Sequence, residues 1–161
     1  MSDAGPSHAF SHRRRVEFHE TDMAGIVHFS VFFRYMEACE HAFVRSLGGS
    51  VHPGEGAGEG EGGLIGWPRV HASCDYLRPL RYDEEVDVRL LVRDKRERAV
   101  HYDFRFHRVG DVDARPLASG RLVVVPVARI GGTVRAIPLP EFTRSLAVAP
   151  TELLDPPTPR F

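Results

Sequence analysis

The clearest alternation in the chain is at Ala99–Arg108, where Val100, Tyr102, Phe104 and Phe106 share one parity and His101, Asp103, Arg105 and His107 the other. A period of two with one apolar side marks an antiparallel strand buried on one face. Residues 67–76, 85–92 and 117–127 predict further strands, and 135–140 a short last piece. The turn at Arg78-Pro79-Leu80, the charged run 94–98 and residues 110–113 connect them. Near the start, residues 14–20 alternate through Val16 and Phe18 and predict the first strand, which leaves 1–13 as a flexible tail.

Between that strand and the next lies a different period. Arg34, Glu37, His41 and Arg45 recur at helical spacing, while Phe32, Phe33, Tyr35, Met36, Cys39, Phe43 and Leu47 cover most of the remaining surface. A helix over residues 31–47 follows, with Ser30 as N-cap and Gly48-Gly49 as its stop. So wide an apolar surface belongs to a helix that other elements wrap. Residues 54–63, GEGAGEGEGG, carry too little apolar surface to pack and predict a flexible loop. The order is strand, long helix, then about four antiparallel strands. One sheet around one central helix, an α+β fold with about five strands, satisfies it economically. The domain is expected over 14–147, with a tail at 148–161.

Composition narrows the setting. The chain has 161 residues, 42% hydrophobic and 27% charged, with a net charge of -1. This suits one globular domain and lacks the basic excess of a nucleic-acid binder. Lys95 is the only lysine; the other cations are arginines. Cys39 and Cys74 form no paired motif, and the polar N-terminal stretch has no apolar signal core. No run is long enough to span a bilayer. A cytoplasmic protein with neither membrane nor nucleic-acid partner is expected.

The chemistry concentrates between the first strand and the helix. The stretch from Val16 through Glu20, Asp22, Gly25, Ile26, Val27 and His28 to Phe29 resembles the opening motif of the 4-hydroxybenzoyl-CoA thioesterase family, in register at Asp22, Gly25, Ile26, Val27 and Phe29. Cys74-Asp75-Tyr76-Leu77-Arg78-Pro79, Tyr82-Asp83-Glu84-Glu85-Val86 and Arg135-Ala136-Ile137-Pro138 look like later segments of that family, so the resemblance covers roughly residues 14–142. It implies the hot dog fold and hydrolysis of an acyl-CoA or aryl-CoA thioester. It implies Asp22 as nucleophile or general base, and the backbone N–H of Phe29 at the helix entrance as oxyanion donor. A helix N-terminus supplies such donors and a favourable dipole.

It further implies substrate contacts from Gly25, Ile26, Val27, His28 and Phe33, and a homodimer or homotetramer with its site at the subunit boundary. Lys95, Arg96 and Arg98 read equally as a solvated turn or as a cradle for the CoA phosphates, with Arg78, Arg81 and Arg129 next in line. CoA enters as part of the substrate; no other cofactor and no metal is expected. Glu37 and Glu40 read as a solvated helix stripe, with a second catalytic carboxylate as the alternative. His101, Asp103, Arg105 and His107 read as a polar sheet face or a subunit contact.

Two departures from the family pattern stand out. Several relatives carry histidine where Phe29 stands, and here it is one place earlier, at His28; the 54–63 insertion lies outside the pattern. A hot dog hydratase or dehydratase and a non-catalytic acyl-CoA-binding domain remain as alternatives. The first would need a histidine paired with an acid. The acyl group is open, because Phe29, Phe32, Phe33 and Tyr35 suit aromatic and medium aliphatic groups alike.

Overall fold

The structure is a computed structural model that describes residues 7–52, 63–111 and 115–154. Strand β1 (Ala9–Arg15) leads through a 3-10 turn (Phe18–Glu20) to helix α1 (Val31–Ser46). Strands β2 (Leu64–Gly66), β3 (Arg69–Tyr76), β4 (Glu85–Arg96), β5 (Ala99–Arg108), β6 (Ala118–Val124), β7 (Val127–Ile130) and β8 (Thr133–Ala136) follow. Five of them form an antiparallel sheet in the order β1-β4-β5-β6-β3, and β2-β7-β8 form a second, small sheet.

The large sheet wraps α1 as its alternation requires. Val86, Val88, Leu90 and Val92 of β4 and Val100, Tyr102, Phe104 and Phe106 of β5 are buried with Phe32, Tyr35, Met36, Cys39 and Phe43 of α1. Phe32 meets Phe106 edge-on at 5.2 Å, and Phe43 meets Tyr102 at 6.5 Å. On β6 the helix comes so close that a Cβ at Gly120 would run into Met36 Sδ. The expected α+β hot dog architecture is therefore the one observed, with the five-stranded sheet.

Several boundaries differ. The first strand is Ala9–Arg15, not 14–20, so residues 9–13 of the expected tail are sheet. The cause is long range. β4 is twelve residues long, and its edge pairs with β1 from Ala9↔Leu91 to Arg15↔Glu85. Arg13 and Arg15 add ion pairs to Asp87 and Glu85. Beyond Val16 the chain turns, with Glu17 and Glu20 closing a reciprocal capping box, and Phe18 is left 76% exposed. At the other end, Ala149 is buried and its N–H donates to Val92 O at 2.8 Å, so the expected tail from 148 begins packed on β4.

Ser30 precedes the helix as expected, but its side chain makes no cap; its Oγ is 2.8 Å from His28 Nδ1. The helix stops at the glycine pair, with Gly48 at φ 78°. Strands β4 and β5 continue through most of the run 94–98, leaving Glu97-Arg98 as the turn. The 54–63 stretch lies outside the described residues except for Gly63.

Candidate active site

The residues after the 3-10 turn fold back as a miniature hairpin. Thr21 bridges Val27, Asp22 N–H donates to Ile26 O, and Gly25 N–H donates to Asp22 O, both at 3.0 Å. Gly25 sits at φ 72°, which its missing Cβ permits without strain. Asp22 Oδ1 accepts the Ala24 N–H at 2.8 Å, so the aspartate also stabilises its own turn. Among the described residues Oδ2 has no hydrogen-bond partner, and the side chain is exposed.

The hairpin is fixed on two sides. Val27 N–H donates to Leu80 O at 2.7 Å, and Ile26 bridges Arg81. His28 N–H donates to Glu20 O at 2.9 Å. Glu20 itself is buried, and its Oε2 accepts the Tyr35 hydroxyl at 2.5 Å and the Glu17 N–H at 2.8 Å. Arg14 lies 5.5 Å over the Tyr35 ring. Burial and Glu20 together push the Tyr35 phenol far above its ordinary value, so it remains a donor.

Between this hairpin and the turn after β3 lies a mainly apolar hollow of about 330 Å³. Asp22, Ile26, Val27, Phe29 and Phe32 line one side, and Tyr76, Leu77, Arg78, Pro79 and Leu80 the other. A second hollow of about 650 Å³ lies on the outer side of Asp22, among Phe18, His19, Thr21, Met23, Gly25 and Tyr82. Asp22 is the one residue lining both. At the helix entrance Val31 N–H is taken by His28 O and Phe33 N–H by Ser30 O. The Phe29 N–H makes no hydrogen bond among the described residues, while the Phe29 carbonyl accepts the Tyr76 hydroxyl at 3.0 Å.

The structure thus brings together Asp22, Ile26, Val27 and Phe29, with Gly25 on the outer side. Phe33 is instead half-buried against the core, and Phe32 is the ring that reaches the hollow. Helical geometry separates the two by about 100°, which the width of the apolar surface conceals in the sequence. His28 stacks on Phe29 at 4.4 Å and lines neither hollow. Tyr76, Leu77, Pro79 and Leu80 were legible as a strand and turn; their convergence on Asp22 depends on tertiary contact.

The other candidates lie elsewhere. Lys95 Nζ donates to Thr143 O and Leu146 O, Arg96 pairs with Asp94, and Arg98 lies 3.6 Å from Glu97. The hairpin they occupy is at the far end of β4 from the Asp22 loop, at most roughly 36 Å along that strand at about 3.3 Å per residue. Glu40, expected on a solvated stripe, is fully buried and ion-paired to Arg69 at 2.5 Å, while Glu37 stays half exposed at 3.4 Å from the same guanidinium. Burial pushes the Glu40 carboxyl up to about 7 against the pull of Arg69. On the outer sheet face, Asp103 is buried between Arg93 and Arg121.

Helix, wrapping sheet and the Asp22 loop define a hot dog protein of the thioesterase type. The chain belongs to the thioesterase-like superfamily, whose family model matches residues 16–146. It is 40% identical over 81 residues to a candidate esterase of Aquifex aeolicus, covering 50% of this chain and 59% of that protein. It is 33% identical over 91 residues to the 1,4-dihydroxy-2-naphthoyl-CoA hydrolase of Parasynechococcus marenigrum, covering 53% of this chain and 57% of that one. The chain thus spans somewhat under three fifths of the length of these two relatives. Among solved structures, BH1999, a gentisyl-coenzyme A thioesterase, superposes with a TM-score of 0.70 at 25% identity, over 85% of this chain and 99% of that one. The 4-hydroxybenzoyl CoA thioesterase of Pseudomonas sp. strain CBS-3 shares the fold, with a TM-score of 0.72 at 20% identity over 86% and 99% of the two chains.

Proposed function

We propose that the protein hydrolyses an acyl-CoA thioester to a carboxylic acid and CoA, with Asp22 as its catalytic carboxylate. The observation that carries this is one wall of the inner hollow, lined by both Asp22, whose Oδ2 has no hydrogen-bond partner among the described residues, and Phe29, whose N–H has none either. Asp22 attacks the thioester carbonyl, or takes a proton from the water that does. The C–O bond forms, the oxyanion meets the Phe29 N–H and the helix dipole, and the C–S bond then breaks; where Asp22 is the attacking group, water next attacks the acyl carbon of the resulting anhydride and its C–O bond to Asp22 breaks, freeing the carboxylate. The oxygen of water ends in the acid and its proton neutralises the CoA thiolate, a competent leaving group that needs no general acid.

The acyl group fits the inner hollow against Ile26, Val27, Phe29 and Phe32, and the thiol arm leaves past Gly25 on the outer side. Aromatic acyl groups head the list of candidates, since the matched hydrolases act on aromatic CoA esters by name. Hydration chemistry has less support, because His28 Nδ1 faces Ser30 and not a carboxylate.

Among the described residues the outer edge of β3 has no strand partner, and Val70, Tyr76 and Leu77 in and after that strand are exposed. A second copy of the chain would cover such an edge, giving a homodimer or homotetramer. The Lys95–Arg96–Arg98 hairpin lies at the opposite end of β4 from Asp22, so a phosphate cradle there is better placed for the substrate of a neighbouring subunit. Cys39 and Cys74, both free, accord with a cytoplasmic setting. A panel of aromatic and aliphatic acyl-CoA esters with a thiol-trapping dye tests the activity. Thiol release with aromatic esters is the expected outcome; binding without release across the panel would contradict it.

A further inference from the structure

The Phe29 N–H is useful to an oxyanion only if the carbonyl of the same residue stays out of the hollow. A carbonyl oxygen swung toward the forming negative charge would oppose it electrostatically. Two side chains hold that peptide unit in place. The Tyr76 hydroxyl, reaching from the end of β3, donates to Phe29 O at 3.0 Å. On the other side of the same peptide plane, the Ser30 N–H donates to His28 Nδ1 at 3.3 Å. The preceding peptide is fixed separately, by His28 O accepting the Val31 N–H at 2.9 Å.

We propose, resting on the hydrolase reading above, that Tyr76 is a positioning residue for the oxyanion site, clamping the Phe29–Ser30 peptide together with His28 so that its carbonyl faces away from the reacting thioester. Neither side chain need touch the substrate for this. The Tyr76 ring is seated edge-on against Phe32 at 5.3 Å, so the hydroxyl is delivered from a fixed platform. Burial and the neighbouring Cys74 push its phenol up to about 12, so it donates throughout the neutral range. The tautomer follows from the same geometry. Nδ1 accepts from Ser30 N–H, which leaves the neutral imidazole proton on Nε2.

The test is Tyr76→Phe, which keeps the ring and removes the donor. Rates are taken well below each variant's Tm, so that kcat refers to folded protein. A lost hydrogen bond of this kind predicts a fall in kcat of roughly five- to tenfold with KM for acyl-CoA within about twofold. His28→Phe, which keeps a ring and removes the acceptor, loses kcat in the same sense. The double variant loses clearly less than the product of the two, because both release one peptide. Wild-type kcat in Tyr76→Phe overturns the proposal. So does a raised KM at unchanged kcat, which would make the phenol a ground-state substrate contact, and so does a multiplicative double variant. Two controls separate the levels: no thiol release by the wild type removes the hydrolase reading itself and full activity of Asp22→Asn removes the catalytic role of Asp22, whereas an inactive Asp22→Asn beside an unaffected Tyr76→Phe removes only the clamp.

Discussion

Two carboxylates, one in the loop ahead of α1 and one within the helix, show how differently one fold treats a negative charge. Asp22 stands ahead of the entrance, exposed, with one oxygen in its own turn, and lines a hollow. Glu40, well along the helix, has no exposure, one oxygen held by Arg69 and Oε1 buried without a hydrogen bond. Trp67 Nε1 is likewise buried without a partner. Burial pushes the Glu40 carboxyl up, yet neither hollow reaches it. A shifted carboxyl therefore marks burial here, and access to a cavity with a nearby donor marks chemistry. Perturbation points to function only when geometry agrees.

The sharpest way to break that contrast is Arg69→Ala. It strands Glu40 near Tyr102 without its cation, and removal of one partner from a buried pair is expected to cost about 3 kcal/mol of stability at neutral pH. The loss should shrink in acid, where Glu40 is protonated. Urea denaturation at pH 8 and pH 5 checks both, and an equal loss at the two pH values would show that Arg69 acts by packing alone. If the helix entrance and its far half are independent, kcat in folded Arg69→Ala stays near wild type.

Glu40→Gln sharpens the same point by pH. The folded carboxyl at about 7 lies above its ordinary 4.5, so the folded state binds this proton more tightly than the unfolded state. The resulting stability is complete below pH 4.5 and is lost as pH rises through about 7. The wild type should therefore lose roughly 3 kcal/mol relative to Glu40→Gln between pH 4.5 and pH 8. Parallel stability–pH curves for the two proteins would contradict the buried, ionisable state of Glu40.

The smallest effect concerns the hairpin. Lys95→Ala, Arg96→Ala and Arg98→Ala together should raise KM for acyl-CoA several-fold with kcat nearly constant, and the gap should narrow at high salt. A short thioester without the nucleotide should hardly respond. Equal effects on both substrates would make the hairpin structural, a role that the Lys95 bonds to Thr143 and Leu146 already suit, and would direct attention to Arg81 beside the Asp22 loop.

These contrasts also mark how far the sequence reaches. The alternation at Ala99–Arg108 and the helical run before Gly48 are short-range patterns, and both survive in the fold. The motif from Asp22 to Phe29 is local, so the connection and the helix entrance were legible together, while its folding into a hairpin was not. What was not legible depends on partners distant in sequence. β1 lies earlier than its own alternation suggests because β4 extends far enough to pair with it. Glu40 is buried because Arg69 arrives 29 residues later to meet it. Tyr76 faces Phe29 across 47 residues, and nothing near either position announces the contact. The second sheet escaped notice because β2 has three residues beside a low-complexity stretch.

The central claim is that Asp22 performs the chemistry and is more than the keystone of its turn. Asparagine keeps a side-chain oxygen for the Ala24 N–H and removes the charge, so Asp22→Asn separates the two roles. Single-turnover measurement on the purified variant, with an aromatic acyl-CoA that the wild type hydrolyses, is the most direct test. An unchanged Tm with the hydrolytic rate lowered by about 10²-fold or more is the predicted result; a folded variant that turns over at the wild-type rate would contradict the account.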